Sequence, residues 1–412
     1  MIVPKIHRRT FPSGFSAEIV LRPGFEQQFF GIMVDFGASD PQALAGSAHF
    51  LEHKLFAKKT GDISHRFEAL GADTNAFTAS NETMFYATGI GHAPKIIDLL
   101  FELVGEPYFT DSNVAKEAPI IAQELAMYQD DPQWWVGDSL KQQLFGQGLA
   151  AMDALGTKRT IMQITPASLK QVYEENYLAG KLHFIAVGDF SANQVKTIFR
   201  QVHKLSDQYF APKPGSYDHT QTTGQLGDER VPYPTRSNCL GLAGILPNFK
   251  KVLGSLDLAQ ILVEIMLESK LSVMSPWFEE VSQAGLLDND LQISVDYSRQ
   301  GSYFTILGLS SQPETVIHKI KEVLAEPLMG EFDQQFFALQ KKNWLARTAR
   351  GYNDLSFLAI ELAEASLDGE NPYDLMEKLS QLSFADYVTF VQDLTHDWQI
   401  GSAYLVKSKG VK

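Results

Sequence analysis

The chain opens on short apolar runs broken by turn residues. Phe15 to Leu21 and Gln27 to Phe36 read as strands around a Pro23-Gly24 turn. Apolar positions then recur at helical spacing over Ala43 to Phe56 and Ile63 to Leu70. Thr74 to Thr78 and Thr83 to Thr88 read as paired strands around Asn81-Glu82. Helices are expected near 93–104, 112–130, 133–145 and 167–177, then a buried strand from His183 to Val187 and a helix near 191–203.

The pattern breaks at 206–230, where Pro212, Pro214, Gly215, Gly224 and Gly227 stand among threonines with few apolar side chains, as in a linker. Beyond it the grammar returns. A strand at 238–245 leads to helices at 255–269 and 275–284, strands at 291–296 and 302–309, helices up to about 394 and a last strand at 400–406. Early strands, a helical middle and a late strand in both halves predict an internal duplication. The fold class is α+β: two homologous sandwich halves, each a mostly antiparallel sheet with helices on one face. Residues 1–205 and 231–412 form the halves and 206–230 the linker. A length of 412 residues agrees, because single cores stop growing at about 250–300.

A net charge of −14, from 49 acidic and 35 basic side chains, argues against a nucleic-acid partner, which needs a basic footprint. No apolar run reaches the length of a membrane span, and no apolar segment follows the basic N-terminus. The single cysteine, Cys239, excludes an intrachain disulfide and reads as a small buried hydrophobe. A cytoplasmic protein is the simplest expectation.

The candidate chemistry lies in His49-Phe50-Leu51-Glu52-His53. Residues four apart share a helix face, so His49 and His53 can aim two imidazoles at one ion, with Glu52 near enough to reach water on it. This is an H-x-x-E-H arrangement. Zinc suits imidazole and carboxylate donors, and a catalytic site needs a third protein ligand and an open position. Glu117 and Glu124, seven residues apart, are the candidates on another helix, because almost two full turns bring them to one side. One would bind the ion and the other would orient the site. An isolated pair of Glu is more often a solvated helix face.

His49 to His53, then Asn75-Ala76-Phe77-Thr78, Thr83-Met84-Phe85-Tyr86 and the Glu117 to Glu124 helix occur in the order that resembles the M16, or pitrilysin, metallopeptidases, also called inverzincins, in their bacterial branch of similar length. The resemblance implies a LuxS/MPP-like metallohydrolase fold. It implies His49, His53 and Glu124 as zinc ligands, Glu52 as general base and Glu117 as the supporting carboxylate. It places Asn75 and Ala76 on a strand that holds the backbone of a peptide substrate, as an extended peptide can add to a sheet edge. Many active members also carry an arginine and a nearby tyrosine in the second half, which stabilise the oxyanion. Here Ser282 stands where the arginine is expected and Asp288 where the tyrosine is, with Tyr297 in a different strand. Two expectations follow. One is a zinc endopeptidase subunit completed by a related partner chain that carries the pair, as a heterodimer or, less directly, a homodimer. The other is a silent peptide-binding or scaffold subunit.

Overall fold

Apolar and β-branched runs in the first half pair into one sheet. β1 (Ile6–Thr10), β2 (Ser16–Leu21), β3 (Gln27–Val34), β6 (Ala72–Thr78), β7 (Thr83–Ile90) and β8 (Leu182–Gly188) stand in the order β1-β2-β8-β3-β7-β6. β4 (Ala57–Lys58) and β5 (Gly61–Asp62) form a separate small hairpin. The second half builds β9 (Asp228–Tyr233), β10 (Cys239–Leu246), β11 (Gln292–Ser298), β12 (Gly301–Leu309) and β13 (Gln399–Lys407) into the order β11-β12-β10-β13-β9. The computed structural model describes residues 3–407 apart from 213–223, 235–237, 248, 250–252, 288, 300, 329 and 397.

The two sheets share one topology. In the first, β2 and β8 are parallel and every other pair is antiparallel. In the second, β9 and β13 are parallel and the rest antiparallel. Matching β2, β8, β3, β7 and β6 to β9, β13, β10, β12 and β11 preserves every pairing and its direction. β1 is an additional edge strand. Within the stretch read as a linker, 213–223 lie outside the described residues, a helix runs to Tyr209, and β9 starts at Asp228.

The helices are α1 (Ser47–Leu55), α2 (Ser64–Glu68), α3 (Ala93–Gly105), α4 (Asp111–Gln129), α5 (Pro132–Phe145), α6 (Lys158–Ile161), α7 (Pro166–Asn176) and α8 (Ala192–Tyr209). They continue with α9 (Leu256–Leu271), α10 (Pro276–Gln283), α11 (Pro313–Ala325), α12 (Glu331–Gly351), α13 (Leu355–Asp368), α14 (Pro372–Gln381) and α15 (Phe384–Thr395). Among the described residues none is long and apolar enough to cross a membrane.

Two compact units emerge, and neither is one continuous stretch. The first comprises Met1–Leu125, Asp153–Asp218 and Arg347–Tyr373, and the second Ala126–Met152, His219–Ala346 and Asp374–Lys412. Successive strand residues point to opposite faces, so the side chains show what covers each one. In the first unit Phe184 of β8 meets Phe101 of α3 on the face that also carries α1. The next residue back, His183, faces Glu18 beneath α13, where Ser366 donates to Glu18 at 3.1 Å. Helices thus line one face, as expected, and α13 adds cover on the other.

The second unit repeats the plan. Leu240, Leu242 and Phe304 pack into a core with Leu262, Met266 and Ile320 of α9 and α11. Cys239 and Ala243 face Val136, Leu140 and Leu144 of α5. Each sheet therefore takes an opposite-face helix from the other half of the sequence.

Candidate metal centre

Helix α1 is buried almost all round: Ser47, Ala48, His49, Phe50, Leu51, Glu52, Lys54 and Leu55 are all buried. Phe50, Leu51 and Leu55 fasten it to the core, each contributing about 1.5–3 kcal/mol. Its entry is fixed by Gly46, which sits at φ +88°, where a side chain is strained. A Cβ there would also lie 2.2 Å from the Leu155 carbonyl oxygen. Gln42 accepts from the Ala48 N–H at 2.9 Å and so satisfies one free amide of the first turn. The polar side chains on such a helix need partners inside the protein; Glu52, His53 and Lys54 find them in one cluster, and His49, whose Nδ1 is buried without a hydrogen-bond partner among the described residues, faces that cluster through Nε2.

The second contributor is α4. Val114, Ala118, Ile121 and Leu125 form its buried stripe, which leaves Glu117 and Glu124 on an adjoining stripe toward α1. Pro119 lies between them and removes one helical N–H donor. His49 Nε2 is 4.0 Å from Glu124 Oε1, and His53 Nε2 is 3.9 Å from Glu124 Oε2. These gaps are too long for hydrogen bonds. The donor atoms of His49, His53 and Glu124 all lie within 4.8 Å of one another. Zinc–donor bonds of about 2.0–2.2 Å place tetrahedral ligands roughly 3.3–3.6 Å apart, so a small inward movement closes this set on an ion. The donor chemistry fits zinc, and Glu124, one-third exposed, leaves a side open to solvent.

Around the three donors the hydrogen bonds set tautomer and charge. Glu117 Oε1 lies 3.2 Å from His53 Nδ1, which places a proton on Nδ1 and, in the neutral ring, leaves the Nε2 lone pair facing Glu124. Glu117 Oε2 accepts from Lys54 Nζ at 2.8 Å. The hydrogen bond from His53, helped by Lys54 and opposed by burial, holds the Glu117 carboxyl down at about 2. Burial, with the charge of His53, pushes His49 down to about 4, so it is a neutral imidazole at neutral pH. Burial alone would lower His53, but the hydrogen bond to Glu117 and the charges of Glu52, Glu117 and Glu124 prevail and raise it. Burial raises the Glu52 carboxyl despite the hydrogen bond that Thr78 donates to Oε2 at 2.7 Å.

Thr78 ends β6, which among the described residues is one of the two edge strands of the first sheet. Asn75 and Ala76 lie on the same strand. The Ala76 N–H is taken by the Asn75 side-chain oxygen at 2.9 Å and not by β7, so this amide belongs to the open edge. The side chains of Glu52 and Thr78 meet, and the edge they mark runs on through Ala76. Two members of the cluster were not singled out from sequence. Thr78 is marked in the sequence only as part of the strand motif, and Lys54 stands next to His53 without a pattern that marks it. Ser282 is an exposed residue of α10, Tyr297 is on β11, and Asp288 lies outside the described residues.

Residues 25–158 match the family model described as insulinase, peptidase family M16, and that span holds every residue of the cluster. The chain is related to the M16 peptidases. The uncharacterized zinc protease YmfH of Bacillus subtilis is 22% identical over 404 residues, 94% of this chain and 93% of that one. An M16-like peptidase from Alicyclobacillus acidocaldarius has the same fold, with a TM-score of 0.84 at 20% identity over 98% of this chain and 99% of the other. A peptidase M16 inactive domain from Pseudomonas fluorescens superposes with a TM-score of 0.82 at 18% identity, covering 99% and 100%. At these identities the structural likenesses establish the fold.

Proposed function

We propose that this chain is the zinc-bearing subunit of a metalloendopeptidase that cuts extended peptides. The observation that carries the proposal is the convergence of His49, His53 and Glu124, whose donor atoms lie within 4.8 Å of one another, with Glu52 beside them. Zinc held by these three side chains would polarise the scissile carbonyl and acidify a water molecule.

The chain's own residues do the rest. Glu52 takes a proton from the attacking water and returns it to the leaving amine. Thr78, bonded to one Glu52 oxygen, holds that carboxylate in a single orientation. The open edge of β6 offers Ala76 and its neighbours to the main chain of an extended substrate, and Thr78 on that strand adjoins the base. Glu117 fixes the ring of His53. The relatives named as zinc proteases support this reading.

A related partner chain would supply the arginine and tyrosine that Ser282 and Asp288 do not. Losing one oxyanion donor typically costs about 10²–10³ in rate, so the chain alone should turn over slowly. The second reading, a silent peptide-binding subunit, draws on the same substitution and on the neighbour named an inactive domain. A quenched peptide tests both. The purified zinc-loaded chain is assayed alone and with proteins that co-purify with it from its native source. A rise of at least 100-fold with a partner, lost on mutating the partner's arginine or tyrosine, supports the first reading. No cleavage in either arm, with zinc bound, supports the second.

A further inference from the structure

Lys54 is a buried lysine on the helix of the two histidines, with 6% of its side chain exposed. A buried ammonium needs hydrogen-bond acceptors. Lys58, four residues on, takes the main-chain oxygens of Leu103 at 2.9 Å and Glu106 at 2.6 Å, so its role is to close helix α3. Lys54 goes instead to a carboxylate, Glu117 Oε2, at 2.8 Å.

That contact divides the two oxygens of Glu117 between two donors. Oε1 serves His53 Nδ1 and Oε2 serves Lys54 Nζ. A carboxylate gripped at both ends cannot rotate. If it were held at one end only, Glu117 could pivot about its side chain, and it lies on the same helix stripe as Glu124. His53 would then lose the acceptor that keeps its proton on Nδ1 and its Nε2 lone pair free.

We propose that Lys54 is a positioning residue of the metal site, which locks Glu117 so that Glu117 in turn fixes the ring and tautomer of His53. The proposal rests on the reading of His49, His53 and Glu124 as metal ligands. It makes a prediction opposite in sign to simple charge repulsion. A cation that acted only through space would oppose a metal cation, and its removal would tighten binding. A cation that acts through Glu117 improves the ligand set, and its removal weakens binding.

Zinc affinity of the full-length apo-protein, titrated against a chelating zinc indicator, separates these. Lys54→Met should weaken zinc binding about 10–100-fold, the usual effect of losing a residue that orients a ligand. Lys54→Arg, which keeps a cation and donors, should restore most of the affinity. Glu117→Gln alone should weaken zinc binding similarly, and adding Lys54→Met to it should change the affinity by no more than about threefold, because the two act in series. Circular dichroism of each apo variant establishes folding. Should Lys54→Met not fold, Lys54→Gln carries the same comparison with a polar end in place. Zinc binding by Lys54→Met equal to or tighter than that of the natural chain overturns the proposal, as does a full loss that persists in the Glu117→Gln background. If the natural chain itself takes up no zinc, the metal reading fails and not this inference alone.

Discussion

Glu82 stands in the turn between β6 and β7, and its burial has a consequence for stability. Burial, with the nearby charge of Asp368 from α13, pushes its carboxyl up to about 7. In the unfolded chain a glutamate titrates near 4.3. Between those values the folded protein holds a proton that the unfolded chain has released. Stability therefore falls as pH rises through this window, and is flat above it. A shift of nearly three units at about 1.4 kcal/mol each gives an upper bound near 4 kcal/mol, and relaxation of the turn brings the expected figure to about 2–3. Asp40, packed beside the same turn and also raised to about 7, mainly by burial and in small part by the charge of Glu82, adds a parallel slope that the substitution trims only by that small part. Glu82→Gln replaces the titrating group with a neutral one of the same shape. At pH 5 about 1 kcal/mol of the difference is already in place, so the variant should melt about 2–4 °C higher there, and its lead should widen to about 4–12 °C at pH 8, using about 2–4 °C per kcal/mol for a unit of this size. Thermal midpoints of the apo-proteins across pH 5 to 8 provide the test. Parallel profiles, or a variant that is less stable at pH 8, would refute the reasoning.

Three further outcomes follow from the same geometry. Asn75→Ala frees the Ala76 N–H at the strand edge, and is expected to change KM for a peptide severalfold while leaving zinc content intact; a loss of zinc would show that the strand's role is different. Gly46→Ala forces a side chain to φ +88° against the Leu155 carbonyl oxygen, and should cost at least about 2 kcal/mol and weaken zinc uptake, read by melting and elemental analysis. Strand addition needs an extended backbone, so a stably folded domain should resist cleavage that its unfolded form undergoes; equal rates on the two forms would contradict edge binding.

Much of the site was legible because its core is local. His49, Glu52 and His53 lie within five residues, and helical periodicity alone puts the two imidazoles on one face. Glu124 needed only the further step of a second helix with acidic residues seven apart. The strands of both halves were legible where apolar runs were bounded by turns. β1 was not, because Ile6–Thr10 reads His-Arg-Arg at its centre and lies exposed at the sheet edge. β9 was hidden for a related reason, as Asp228-Glu229-Arg230 opens a strand in charged residues. The roles of Lys54 and Thr78 depend on partners 63 and 26 residues away, and no spacing rule relates them. Nor does any local pattern tell that α5 and α13 each cover the sheet of the other half. That is decided by which apolar face is left open once each sheet has formed.

The most direct test of the central claim is the zinc content of three purified variants, measured by elemental analysis beside their peptidase activity. Glu52 is assigned as a base and His53 and Glu124 as ligands. Glu52→Gln should therefore keep about one zinc per chain and lose hydrolysis, while His53→Ala and Glu124→Gln should lose both. Zinc lost from Glu52→Gln and kept by Glu124→Gln would contradict the account.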